Sequence, residues 1–284
     1  MKRRDFLQVA RGALGTAAIA SPALAQLGAA MPSFVQTPDR PRSFGYKVSW
    51  FAVKASDTAS VLDALEFGKS TPANWASGLA GASPYGVSQR SDPWVFASPP
   101  VSGWVLVVGF WLPYPVAPTG RHHEIGKKFD VLFSRLMKRF EDVQFFGSYR
   151  VVDFSAWARA LRGKPVRIFA YADGEVLANA GEQTPEEAKL RFANLTGLSP
   201  ADAGDKISKI GEEQEAEEDA LVAKGLSRQE ALAKVRENGR DPIPDEDDVV
   251  ELAALWSIDP RQLSNQEHLR GVGWAARLPK NVMQ

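Results

Sequence analysis

The chain has 284 residues and no cysteine. This absence excludes disulfide bridges, thiolate zinc sites, iron–sulfur ligation and a cysteine nucleophile. Histidine is scarce, with three in the whole chain, and none follows the His-Glu-x-x-His spacing that places two zinc ligands on one helix face. We therefore predict no metal and no cofactor, and a fold stabilised by packing alone.

An excess of positive charge is also missing, since 34 basic residues face 34 acidic ones. Residues 1–25 contain four of the basic residues and one of the acidic ones, so the remainder of the chain is slightly acidic. Nucleic-acid-binding proteins usually show a marked basic excess, so we expect no nucleic-acid partner. No segment after residue 25 is apolar for long enough to suggest a stable membrane span.

The glycine patterns of two common enzyme classes are absent too. The chain contains no Gly-x-Ser-x-Gly nucleophile elbow and no dinucleotide-binding glycine motif after a predicted strand. Residues 120–128 resemble a phosphate loop, but five residues separate the two glycines and Lys128 replaces the Ser or Thr that would ligate magnesium. Nucleotide binding by this loop is therefore not expected.

The first residues form a basic head with an adjacent arginine pair. Arg3 and Arg4 are followed by Phe6 and Leu7, which resembles the twin-arginine export signal, with Gln8 where a Lys is common. The resemblance implies recognition by the twin-arginine export machinery, which moves folded proteins. We therefore expect a periplasmic or extracellular protein that folds before export.

A weakly apolar, alanine-rich stretch follows the basic head. The small residues Ala23 and Ala25 predict cleavage after residue 25, so that residues 1–25 are the signal peptide. Residues 26–43 contain Pro and Gly without periodicity, which predicts a flexible tether. Translation from Met31 would be an alternative that removes the signal.

Residues 44–284 are predicted to form one α+β domain. The periodicity predicts strands over 46–53, 94–97, 104–110 and 143–146 and helices over 57–65, 126–140 and 153–161. Residues 68–92 are expected to form a loop, with at most one turn near Trp75. Asp173-Gly174 predicts a hairpin turn, and Thr184-Pro185 with Glu187 predicts a capped helix. Residues 46–140 and 143–195 would each run strand, helix, strand, strand, helix, which favours a mixed or antiparallel sheet covered by helices.

Residues 200–241 differ from the rest in having many charges and few large apolar side chains. They predict a charged helical hairpin that leaves the core as an excursion. Six carboxylates on it are candidates for docking a partner protein: Glu212, Glu213, Glu215, Glu217, Glu218 and Asp219.

Several motifs together resemble an uncharacterised family of bacterial proteins over most of residues 45–278. They are Val143–Val152, Trp157, Gly163-Lys164, Arg167, Tyr171, Asp173-Gly174-Glu175, Pro244–Val249 and Trp256–Pro260. The chain is also loosely similar to the small α+β immunity proteins that neutralise bacterial toxins. The uncharacterised family supplies no known activity, catalytic residue or cofactor that could be transferred to this chain. The similarity to immunity proteins implies another protein as the partner.

One loop is the best place for a metal or a general base, if the chain has either. His122 and His123 lie next to Glu124, and Asp130 follows in the predicted helix. In an extended segment adjacent histidines point to opposite sides, which hinders joint ligation of one ion. A polar loop before a helix explains the same residues without any chemistry.

Two functional hypotheses follow. The first is an exported, non-enzymatic, immunity-like module that binds another protein, and the charged hairpin favours it. The alternative is an exported hydrolase or cofactor-binding enzyme that uses carboxylates or the loop of His122 and His123. Paired carboxylates leave no sequence motif, so the alternative stays open.

The export signal can be tested directly. Replacing Arg3 and Arg4 with Lys keeps the charge but removes the arginine pair. We expect the variant to remain in the cytoplasm at its uncleaved mass, measured by cell fractionation and mass spectrometry. Unchanged export would show that this signal interpretation is wrong.

Overall fold

A nine-stranded antiparallel sheet forms the centre of the protein in a computed structural model, which describes residues 33–85, 92–239, 241–266 and 268–284. Its strands are β1 (Val48–Lys54), β2 (Ser70–Asn74), β3 (Trp94–Ala97), β4 (Trp104–Gly109), β5 (Asp142–Tyr149), β6 (Phe154–Leu161), β7 (Lys164–Ala172), β8 (Glu175–Gly181) and β9 (Val272–Arg277). They are ordered β2-β9-β3-β4-β1-β5-β6-β7-β8. The predicted α+β class is confirmed, with an antiparallel sheet. The expected export signal lies outside the described residues.

Helices cover both faces of this sheet. They are α1 (Thr58–Leu65), α2 (Trp75–Ala82), α3 (His123–Met137), α4 (Pro185–Lys189), α5 (Pro200–Ala223), α6 (Arg228–Asn238) and α7 (Glu246–Trp256). Helices α1 and α3 pack on one face, and α2, α5 and α7 contribute to the core on the other. No helix in the described ranges combines the length and apolarity needed to cross a bilayer.

The central strands are buried on both faces, as the unbroken apolar run over 104–110 predicts. Every residue of β4 is buried. In the neighbouring β1, Trp50 stacks on Phe146 on one side of the sheet at a centroid distance of 5.2 Å. Phe51 packs edge-on against Phe145 on the other side at 5.1 Å. Each strand therefore contributes to two cores at once.

The helix predicted over 153–161 is wrong, because this segment is strand β6. Phe154 belongs to the core on one face of the sheet, and Trp157 belongs to the core on the other face. Burial on both sides removes the alternation that marks a strand, and the remaining apolar spacing matches a helix by coincidence. Gly163, at φ +77°, completes the turn to β7 and does not end a helix. The proposed repeat of two similar units is wrong for the same reason.

The loop predicted over 68–92 is also wrong in its first part, which contains β2 and α2. β2 includes Pro72, which an edge strand tolerates because its N–H side need not pair. Its partner is β9, about 200 residues later in the chain, so no local pattern indicates the pairing. The carboxylate of Asp39 accepts hydrogen bonds from the first N–H groups of α2, at Trp75 (2.7 Å) and Ala76 (3.0 Å). Asp39 thus supplements the local cap of α2, Asn74, whose Oδ1 accepts from the N–H of Ser77 at 3.0 Å.

Residues 33–43, the described part of the segment expected to be a tether, make specific contacts with the domain. Phe34 packs on Trp94 at a ring distance of 5.0 Å. The backbone N–H of Ser43 donates to Ser264 Oγ at 2.9 Å. Together with Asp39, these contacts fix the segment along the edge that carries β2 and α2.

Several local predictions are confirmed. The helix predicted from residue 126 is α3, which begins three residues earlier. The turn between β7 and β8 has Asp173 at φ +49° and Gly174 at φ +84°, as a two-residue hairpin requires. Thr184 and Glu187 form the predicted capping box of α4. The charged hairpin consists of α5 and α6.

Two glycines in helices test the tightness of the packing. A Cβ at Gly78 of α2 would lie 2.1 Å from the ring of Phe96, which is fully buried. A Cβ at Gly204 of α5 would meet its nearest atom, in Val176, at 4.0 Å. We expect Gly78→Ala to destabilise the protein by about 1–3 kcal/mol through overpacking. Gly204→Ala should stabilise it by about 0.5–1 kcal/mol.

Urea unfolding of both variants measures these changes. Equal stabilisation by the two substitutions would contradict the packing described around Phe96.

Candidate functional site

The helical hairpin of α5 and α6 has a narrow buried side and a broad solvent side. On α5, Ala203 and Ile207 are buried, and on α6, Ala231 and Val235 are buried. Each pair is spaced by four residues, so it forms one narrow stripe along its helix. The hairpin therefore exposes most of its surface, in contrast to the helices that cover the sheet.

The outward side of α5 is acidic. Asp205, Glu212 and Asp219 are exposed and recur every seven residues, which places them nearly in line along the helix. The eight residues 212–219 contain six acidic side chains and no basic one. Repulsion between neighbouring carboxylates disfavours this arrangement in an isolated helix.

Five of the six predicted docking carboxylates are exposed: Glu212, Glu213, Glu215, Glu217 and Asp219. Glu218 differs, because its side chain is 17% exposed and lies 3.4 Å from Arg228 of α6. Arg228 also pairs with Asp219 at 2.9 Å. In the part of the chain that is described, Glu212 and Glu215 have no hydrogen bond or ion pair. Glu218 therefore holds the two helices together, while Glu212 and Glu215 remain open to a partner.

The turn between the two helices is locally well defined. Gly225 adopts φ +99°, and Ser227 caps α6 in a capping box with Glu230. Hydrogen bonds from the Ser227 side chain and backbone lower the pKa of Glu230 below its usual range. The sequence therefore specifies where α5 ends and α6 begins.

A buried ion pair fixes the segment that leads into the hairpin. Arg167 of β7 and Glu187 of α4 are 2% and 1% exposed, and Arg167 Nε donates to Glu187 Oε1 at 2.8 Å. The same carboxylate accepts hydrogen bonds from Trp157 Nε1 (2.8 Å) and from the backbone N–H of Thr184 (2.8 Å). These extra hydrogen bonds offset the cost of removing the charges from water.

Asn179 of β8 extends this network to the start of α5. Arg167 Nη1 donates to Asn179 Oδ1 at 2.8 Å. Asn179 Nδ2 in turn donates to the carbonyl oxygens of Leu195 (2.8 Å) and Leu198 (2.9 Å), just before α5. The cavity beside Arg167 measures about 20 Å³, which is room for about one water molecule. This network therefore serves to position the hairpin.

The sequence does not indicate this network as a unit, because Arg167 and Glu187 belong to different local patterns: Arg167 to the motifs of the family resemblance and Glu187 to a capping box. One feature of the sequence does indicate a buried partner for Arg167: this residue shares a strand face with Phe169 and Tyr171, which are buried. A charged residue at an inward position of a strand needs a buried partner.

The loop of His122 and His123 is largely exposed. His123 Nε2 lies 2.9 Å from Glu124 Oε1, and Lys127 Nζ lies 2.6 Å from the same oxygen. The ion pair with Lys127, with a smaller contribution from His123, lowers the pKa of Glu124. Partial desolvation raises the pKa of Asp130, on the next turn of α3.

The structure thus brings His123 and Glu124 together at the surface. Among the residues described, no group of three or more histidines and carboxylates is arranged to hold a metal ion.

Comparison with protein-family models, curated proteins and solved structures finds no match for this chain. The resemblance to an uncharacterised bacterial family stays a prediction.

The buried pair can be tested by single and double substitution. Glu187→Gln or Arg167→Met leaves one buried charge without its partner, which should cost about 3–5 kcal/mol of unfolding free energy. The double variant Arg167→Met/Glu187→Gln should recover part of this loss. Urea unfolding supplies the measurement.

The exposed pair Arg162–Glu141, at 3.5 Å, provides the matched control, and the same substitutions there should cost less than about 1 kcal/mol. Similar costs at the two pairs would show that Arg167 and Glu187 do not anchor this region.

Proposed function

We propose that this protein is an exported, non-enzymatic binding module, immunity-like in character, that docks a basic protein on the acidic side of α5. The observation that carries the proposal is the run of six carboxylates within residues 212–219, five of them exposed. The location outside the cytoplasm rests on the arginine pair and the cleavage pattern of residues 1–25.

The charge of this surface is only partly neutralised within the chain. Arg228 pairs with Glu218 and Asp219, and Lys209 lies 4.0 Å from Glu213. Glu212 and Glu215 are exposed and have no ion pair among the described residues. A partner with lysine or arginine side chains would relieve the repulsion along α5 and gain complementary contacts.

The position of the hairpin supports a role in docking. The hydrogen bonds from Asn179 fix the chain immediately before α5, and Ala203 and Ile207 pack on the sheet. A surface that is ordered before binding loses less conformational entropy when the partner arrives. Electrostatic attraction then acts over a Debye length of about 8 Å at physiological salt, which favours rapid association.

Reversal of two charges tests the proposal. Glu212→Lys with Glu215→Lys changes the surface by four charge units, and both side chains are exposed, so the fold should be retained. We expect the variant to lose a basic protein that the wild type retains at low salt from the periplasmic or secreted fraction. Affinity capture followed by mass spectrometry identifies that protein and its isoelectric point.

The matched control reverses two exposed carboxylates on α1 and α3, which cover the opposite face of the sheet from α5, Asp63→Lys with Glu124→Lys. It has the same net charge as the test variant and should retain the partner. Loss of capture by both variants would indicate an effect of net charge only. Capture that persists in the hairpin variant would disprove docking on α5.

A further inference from the structure

A second feature of the sheet lies away from the hairpin, where a row of small residues crosses six strands. Ser49 of β1 pairs with Gly109 of β4 on one side and with Gly147 of β5 on the other. Gly147 pairs with Ala156, Ala156 with Ala170, and Ala170 with Ala178. Directly paired residues project from the same face, so this row leaves space above the sheet.

The space that these small residues leave above the sheet is filled by other side chains at some positions and remains open at another. At Gly109 a Cβ would lie 3.3 Å from Leu112 and 2.8 Å from Val95, so other side chains fill that position. At Gly147 a Cβ would lie 2.7 Å from Ser49 Oγ and 2.9 Å from the ring of Phe154, so these side chains occupy that position. Beside Ser49 and Phe154 a pocket with a cavity volume of about 140 Å³ remains. A cavity of about 150 Å³ with apolar walls is known to hold benzene, so this one is large enough for a single ring.

Aromatic side chains form the walls of the pocket. Phe110 packs edge-on against Tyr149 at 5.5 Å, and Tyr114 packs against Phe154 at 4.8 Å. All four residues border the pocket, and no charged side chain does. Gln284 also borders the pocket, and a charged ligand would lose its hydration here without gaining an ion pair with a lining side chain, so the pocket favours an uncharged one.

Hydroxyl groups give the pocket polarity at several defined points. Ser49 is 5% exposed, and its Oγ has no hydrogen-bond partner among the described residues. Ser148, which also borders the pocket, donates to the carbonyl of Gly45 at 3.3 Å. The hydroxyl of Tyr114 likewise has no partner in the described part of the chain. Burial, with a smaller contribution from Asp173, raises the pKa of Tyr114, so this hydroxyl stays protonated at neutral pH.

We propose that this pocket binds a small uncharged ring compound that carries one hydroxyl or carbonyl oxygen. The ring packs between the aromatic walls, and the oxygen atom pairs with Ser49 Oγ. Ser49 Oγ has no hydrogen-bond partner among the described residues, so an oxygen atom of the ligand can take the place of water at this hydroxyl. The proposal is independent of docking on α5.

Phenol and benzene are suitable probes, with benzoate and benzylammonium as charged counterparts. We expect saturable changes in the amide NMR signals of Ser49, Gly147 and Phe154 with phenol and with benzene. The charged probes should cause no saturable change at these positions. Absence of saturation with both neutral probes, or equal binding of benzoate, would overturn the proposal.

Two substitutions at Ser49 distinguish the contribution of the hydrogen bond to binding from the contribution of the cavity. Ser49→Ala removes the hydroxyl, and it should weaken phenol binding about fivefold while leaving benzene binding unchanged. Ser49→Val fills the space, and it should abolish binding of both probes. Ser155→Ala, at a buried serine of β6 outside the pocket, should bind both probes as the wild type does.

Dispersed NMR spectra of each variant verify that the fold is retained. An equal loss of phenol and benzene binding in Ser49→Ala would disprove the assigned role of the hydroxyl.

Discussion

Burial of the central strands on both faces is the constraint on which the rest of the structure depends. β4, β1, β5 and β6 must each supply apolar side chains to two separate cores, so helices have to cover both faces of one sheet. The chain meets this requirement by placing α1 and α3 on one face and α2, α5 and α7 on the other. Strand β9, from the C-terminal part of the chain, lies between β2 and β3 and pairs with both. Without cysteine, this packing has no covalent support.

The same constraint explains how far the sequence could predict the fold. The α+β class, the helix α3 with its regular apolar spacing, the Asp173-Gly174 turn and the Thr184 cap all depend on local patterns, and these predictions are confirmed. β6 was predicted as a helix because burial on both sides removes the alternation of a strand. β2 and α2 were missed because β9 and Asp39, which stabilise them, are far away in sequence. Local sequence patterns therefore predict the confirmed elements, whereas pairing between distant segments is not visible in the sequence.

Charged side chains in this protein occupy two environments. A buried charge is costly without a partner, whereas a solvated charge is not. Arg167 and Glu187 are buried, and their pairing is retained because Trp157, Thr184 and Asn179 satisfy the remaining polar atoms. The carboxylates of α5 are solvated, and only some have partners within the chain. The sequence indicated the acidic run directly, since its composition is unusual. The buried network needed the structure, because the pairing of β7 with α4 is not visible in the spacing of Arg167 and Glu187.

The hairpin and the aromatic pocket differ in what they can recognise, and the difference follows from how each arises. The acidic side of α5 is broad and solvated, so it suits a macromolecule whose charges approach from outside. The pocket brings together Ser49 of β1, Ser148 and Tyr149 of β5 and Phe154 of β6, a juxtaposition that the sequence of one strand alone does not reveal. Its interior is small and no lining side chain is charged, so it suits a single ring better than a protein surface. Both features are attached to the same rigid sheet, and neither requires the other to form.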